Sequence, residues 1–210
     1  MGMALELGGT MLEQEVYRDT DFSEENFEEQ EIREKRFLNC RFDSAVFSHS
    51  LLEKCTFESC RLVNCKCNGA QFRRSALINC EFRYAGLFAS EFDHCKMTGS
   101  SLVDANTSCM VIRGGDWSYT DLRGMECYKM ELDHINFEHA DLRECLIEKC
   151  SMRYCNFRHA LMSGTVLKES DLRDSVLDRV DLLGIRFCSV SIDLEQSAAI
   201  SAALGANVVF

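Results

Sequence analysis

Proline is absent from all 210 residues. A chain that never gives up a backbone N–H is one in which nearly all of them are needed as hydrogen-bond donors. No run of about 18 apolar residues occurs, which excludes a membrane-spanning helix. The beginning of the sequence has no basic segment leading into an apolar one, so no export signal is expected. CxxC pairs are missing too, although there are 13 cysteines. An odd count without an export signal reads as reduced thiols in a cytoplasm rather than as a disulfide framework. Positive charge is scarce: 23 basic residues stand against 34 acidic ones, a net charge of −11. Such a surface repels nucleic acid and anionic membrane, and suits a basic partner or one that normally holds an anion. There is no nucleophile–base pair at a recognised spacing, no glycine-rich phosphate loop and no HExxH. No enzyme activity, cofactor or metal is expected, and a tightly filled fold leaves no pocket for one.

What the sequence has instead is a period of five. Every fifth residue from Leu12 to Ile192 is apolar except Thr107, through 37 positions, and 12 of the 14 phenylalanines lie in this lane. A second lane runs two residues earlier. From Cys40 to Val190 it holds 31 positions, of which 26 are Ala, Cys, Ser, Thr, Gly or Val; the exceptions are Met110, Met125, Met130, Ile135 and Ile185. Nine cysteines fall in this second lane, where they read as small buried residues. Neither lane carries a charge from 40 to 192.

Five matches neither the helical period of 3.6 nor the strand period of 2. It matches a coil with four short sides. Each side turns one large and one small residue inward. Four sides complete a coil, and successive coils stack through parallel main-chain hydrogen bonds. Residues 15–193 then form about nine coils, roughly 43 Å long at the spacing of β-strands. Residues 1–14 are an N-terminal extension. Residues 194–210 form a cap: Asp193 suits a helix N-cap with Gln196 three residues on, Gly205 suits the residue after the helix, and an apolar tail follows. That tail either folds back on its own cap or joins a second copy. A two-fold dimer through Leu194, Ile200, Leu204, Val208, Val209 and Phe210 is the favoured expectation. The least regular stretch is 106–135, with Thr107, Gly114-Gly115 and several methionines, and it is the place for a local bulge or widening.

Segments such as Ala140-Asp141-Leu142-Arg143-Glu144 and Ser170-Asp171-Leu172-Arg173-Asp174 resemble the pentapeptide-repeat consensus A(D/N)LXX. The resemblance covers residues 15–193 and implies an all-β fold, a right-handed quadrilateral parallel β-helix of about nine coils with a short C-terminal α-helix. Cys95-Lys96-Met97-Thr98-Gly99-Ser100, Gly114-Gly115-Asp116 and the ending Ile192-Asp193-Leu194-Glu195-Gln196 are similar to the quinolone-resistance branch, the Qnr proteins and above all the loopless MfpA type. That likeness implies a homodimer joined by its C-terminal caps, which mimics DNA and occupies the DNA site of DNA gyrase or topoisomerase IV. It implies no direct binding of nucleic acid, and resistance to fluoroquinolones or related poisons. The alternative is a scaffold for an unrelated protein partner.

Two sides of the tube carry the acids that fit such a role. One has Asp121, Asp141 and Asp181; the side opposite has Glu91, Glu131 and Asp171. Their carboxylates either pin the turns or imitate spaced phosphates. The N-terminal coil, with ten acids and four bases over 13–36, either wards off end-to-end stacking or meets a basic partner. Its second lane lacks small residues, so this coil is expected to close less well than the rest. The column Arg33, Glu53, Arg73, Asp93, Arg113, Asp133, Arg153, Arg173, Asp193 predicts a salt-bridge ladder. The five histidines read as surface corner residues, with His139 and His159 on adjacent coils.

Overall fold

The computed structural model describes residues 12–209. The chain winds as a parallel β-helix of about nine turns, four-sided, with one short helix at its C-terminal end. Partners along every side lie one full coil apart in the sequence. Face A stacks Val16 on Arg36 and continues to Val176; face B runs from Asp21 to Leu161. Face C begins at Asn26 and face D at Glu31. All four faces are bonded from the first coil, so the N-terminal coil is as closed as its neighbours. Its charged second lane lies at the surface, while Tyr17 stacks on Phe37 with ring centroids 5.5 Å apart and closes the tube end.

The two lanes fill the interior. Phe27, Phe42, Phe57, Phe72, Phe82 and Phe92 are fully buried. The small lane does more than fit. Cys60 Sγ donates to Phe37 O at 3.3 Å, Cys95 Sγ to Phe72 O at 3.2 Å, and Ser100 Oγ to Leu77 O at 2.8 Å. In each case the acceptor lies on the coil beneath. A small residue with an S–H or O–H therefore satisfies a carbonyl inside the tube, which alanine cannot. Burial pushes the Cys95, Cys145 and Cys155 thiols up to about 12, so they stay protonated and unreactive. Cys109 is exposed and Cys188 half-buried. A thiol reagent should titrate Cys109 at once and Cys188 slowly, and reach all 13 cysteines only in denaturant. Several fast equivalents in the native protein would show that the tube breathes open.

Each side ends at a corner in the left-handed region. Among the described residues, 29 non-glycine residues there have positive φ, each two residues after a lane centre, which is apolar in every case but Thr107 before Cys109; the histidines are among them. Isolated, each such corner costs roughly 1–2 kcal/mol. The ladder above and below holds it in place, as where Ser44 N–H donates to Val63 O at 2.9 Å.

At the C-terminal end the expected cap is present. Helix α1 spans Leu194–Ala203 with a complete capping box between Asp193 and Gln196. The Gln196 side chain continues inward, donating to Leu172 O at 2.6 Å and Ser175 O at 2.8 Å. Gly205 takes φ +90° after the helix.

The ladder is interrupted in one place. On faces C and D, no backbone hydrogen bond among the described residues joins 104–114 to 123–133, although faces A and B stay paired at that level. The cause is visible in the small lane. Met110 lies directly beneath Met130 at a corner whose occupants on the adjoining coils are Ser90 and Cys150. Two methionines overfill that corner, while Thr107 and Cys127 underfill the neighbouring side. The coils part between them and leave a slot of about 770 Å³. The expectation of a tube without a pocket is thus corrected: widening occurs within the stretch 106–135.

Candidate acidic interface

Net charge is concentrated on two opposite sides. Counting outward-facing positions, face B carries nine acids and five bases and face D ten and seven, whereas faces A and C carry five of each. The ten acids of residues 13–36 are all exposed.

On face B, Asp121 and Asp141 stack on adjacent coils. Asp121 accepts from the Arg123 backbone N–H at 3.3 Å and from its guanidinium at 2.8 and 2.7 Å. Asp141 makes the same fork with Arg143, at 2.8 and 2.6 Å. Asp181 accepts from Leu183 N at 3.2 Å and caps the short 3-10 turn Leu182–Gly184. On face D, Asp171 is forked by Arg173 and Glu91 is bound by Arg113 at 2.7 Å. Glu131 has no ion pair among the described residues. The consensus aspartates therefore pin their turns, and their arginines screen much of their charge. That leaves Glu131 and Asp181 as the least compensated of the six, in addition to the exposed acids of the first coil at the N-terminal end.

The proposed salt-bridge ladder on face D does not form as a column. Arg33 pairs with Glu53, but Arg113 turns to Glu91 and Arg153 to Asp174, each at 2.7 Å. Asp193 is taken up by the helix cap and by Asp174 N. Nearer partners on neighbouring columns win because exposed pairs are weak and side chains choose by reach. The histidine column does form: Tyr119, His139 and His159 stack with centroids 4.7 Å apart. Among the described residues no cluster of His, Cys, Asp or Glu could hold a metal ion.

The forks make a pH prediction. The Arg173 side chain holds the Asp171 carboxyl below its ordinary value of 3.8. At Asp141 and Asp116 burial pushes upward, but hydrogen bonds from Arg143, and from Ser118, Thr98 and Asn136, outweigh it and leave both lowered. A depressed carboxylate stabilises the fold above its unfolded pKa and loses that contribution as pH falls through the folded one. The melting temperature should be flat down to about pH 5 and fall below about pH 4. A drop that begins well above pH 5 would contradict this account.

At the capped end, Leu194, Leu204 and Val209 are 86, 72 and 85 % exposed. Val208 is half-buried, and Ile200 turns inward against the core. Phe210 lies outside the described residues, as do 1–11 of the N-terminal extension. Among the described residues no helix is long and apolar enough to cross a membrane.

The family described as pentapeptide repeats matches in eight copies, over 40–77, 131–168 and 155–191. This chain is a pentapeptide-repeat protein. No curated protein matches it in sequence. Among solved structures, the plasmid-mediated fluoroquinolone resistance protein QnrB1, trypsin-treated, is similar at TM-score 0.66 and 21% identity, covering 92% of this chain and 97% of that one. Full-length QnrB1 gives 0.64 at 18%, covering 91% and 100%. HetL from Nostoc sp. strain PCC 7120, involved in regulating heterocyst differentiation, gives 0.61 at 16%, covering 84% of each. At these identities the likeness establishes the β-helix that all of them share.

Proposed function

We propose that this pentapeptide-repeat protein is a DNA mimic that binds a type II topoisomerase, DNA gyrase or topoisomerase IV, competes with DNA, and protects the enzyme from fluoroquinolones or related poisons. The observation that carries the reading is a stiff rod whose negative charge sits on two opposite faces, as the two phosphate backbones sit on a duplex. Its fold likeness to a fluoroquinolone resistance protein supports it. Two copies joined through their exposed apolar caps would span about 90 Å at strand spacing. They would carry twice the −11 of one chain, against about 50 charges on duplex DNA of that length. The copy is therefore weaker than DNA, and its binding should fade with salt. The reading involves no catalytic step, no cofactor and no direct contact with nucleic acid, and places the protein in the cytoplasm.

The test is a gyrase supercoiling assay with and without ciprofloxacin. Micromolar protein should inhibit supercoiling and, at lower dose, reduce drug-stabilised cleavage. The triple variant Asp121→Asn, Asp141→Asn, Asp181→Asn keeps the oxygen that each turn needs but frees Arg123 and Arg143. It should fold normally and inhibit about tenfold or more weakly. Neither inhibition nor rescue by the unaltered protein would favour the second reading, a scaffold or regulator docking on an unrelated protein. The comparable fold match to a differentiation regulator supports that alternative.

A further inference from the structure

The slot on faces C and D is a break in an otherwise continuous ladder, and both of its lips are strand edges. On the lower lip the N–H groups of Thr107, Cys109, Ile112 and Gly114 lack the partners that equivalent positions have on other coils. On the upper lip, Glu126 and Glu131 N–H are likewise unpaired. On other coils the equivalent residues of these faces are bonded, as where Cys67 N–H donates to Gly86 O and Gly69 N–H to Phe88 O. Val111, 37% exposed, and the half-buried Met130 give the slot its apolar surface, over the buried Met110 and Ile112. A second, smaller cavity of about 350 Å³ prolongs it past Leu102 and Met125.

We propose that this slot takes an extended peptide segment of a partner protein as an added strand, with apolar residues inward and basic residues outward. Unpaired donors and acceptors on both sides are what a single inserted strand satisfies, and an apolar lining accepts its alternate side chains. The charge of the rim selects the rest. Glu126 and Glu131 stand on the upper lip without an ion pair among the described residues. Arg113 on the lower lip is held by Glu91 at 2.7 Å. Lys129 lies over the Tyr128 ring, 5.0 Å from its centroid. The rim therefore offers the Glu126 carboxylate, and that of Glu131, which Arg113 also attracts across the slot, to an incoming lysine or arginine. Each lip runs for about eight residues, which sets the length of segment it can hold. This inference does not rest on the topoisomerase reading.

Two measurements test it on the full chain. First, hydrogen exchange: the six amides named above should exchange freely in the protein alone, while their counterparts on faces A and B of the same coil are protected. An acetylated, amidated octapeptide of alternating lysine and valine should then slow them about 100-fold. Second, titration of that peptide can be followed by the single tryptophan, Trp117, which lies in the same coil. The Glu126→Lys, Glu131→Lys variant should weaken binding about tenfold and favour a glutamate–valine octapeptide. Met110→Ser with Met130→Ser should close the ladder, protect the amides without peptide, and abolish binding. The proposal is overturned if the amides are already protected in the free protein, or if the peptide does not bind at millimolar concentration. It is equally overturned if the charge variant binds unchanged, or if protection rises with protein concentration alone, which would make a second copy the occupant.

Discussion

Ending the chain after Asp193 is expected to leave a monomer that melts far below the intact protein and aggregates on heating. Gln196 is 4% exposed and seals the last coil by donating to Leu172 O and Ser175 O. Without it Ser175 O loses its partner, at about 1–3 kcal/mol, and Leu172 O keeps only the Ser175 N–H at 3.1 Å. In an array where each coil touches only its neighbours, loss at one end propagates inward. The newly bared parallel edge is a template for pairing with other chains. The same truncation removes the exposed Leu194, Leu204 and Val209. Light scattering should show the monomer in the cold, before any melting. A truncated protein that stays dimeric would reject the caps as the junction between copies. Gln196→Ala separates the two effects: it should lower stability and leave the proposed association through the caps intact.

Phe42→Ala should cost about 3–5 kcal/mol, the usual range for deleting a buried phenyl ring. Phe42 is fully buried and meets five other rings: Phe22 at 5.1 Å, Phe37 at 5.2 Å, Phe47 and Phe57 at 5.5 Å, and Phe27 at 6.1 Å. No neighbour can collapse into the gap without leaving its own stack. Because the array is quasi-one-dimensional, unravelling should begin at this weakened end. The N-terminal coils, to about residue 60, should melt first, while the coil of Trp117 keeps its native fluorescence. A single unchanged transition would mean that the rod unfolds as one unit from end to end.

These two sites differ in how far they could be read from sequence. Phe42 was legible, because an inward residue recurs every five positions regardless of what lies outside. The capping box of Asp193 and Gln196 was legible for the same local reason. The inward reach of Gln196 was not, since its acceptors on Leu172 and Ser175 belong to the preceding coil. The thiol and hydroxyl bonds of the small lane were hidden likewise, because they depend on which carbonyl the winding places beneath each side chain. On the surface, the aspartates at 121, 141 and 171 were visible as a pattern. Their arginine forks are written two positions on, but which carboxylate an exposed arginine takes depends on side-chain reach in the folded coil, not on spacing. For the slot the sequence held a sign: methionines at 110 and 130 in a lane of cysteine and serine. It is an effect of stacking, and only the length of one coil sets the first methionine beneath the second.

The four-sided winding also governs how such a molecule can change length. Inserting one side's worth of chain preserves the interior phase but rotates everything beyond it by a quarter turn, so that carboxylate walls continue as neutral ones. Two sides give a half turn and merely exchange the two negative walls; four restore every position. Viable insertions and deletions in this protein should therefore come in pairs of sides or in whole coils, a constraint imposed by the exterior, since the interior would accept any number of complete sides.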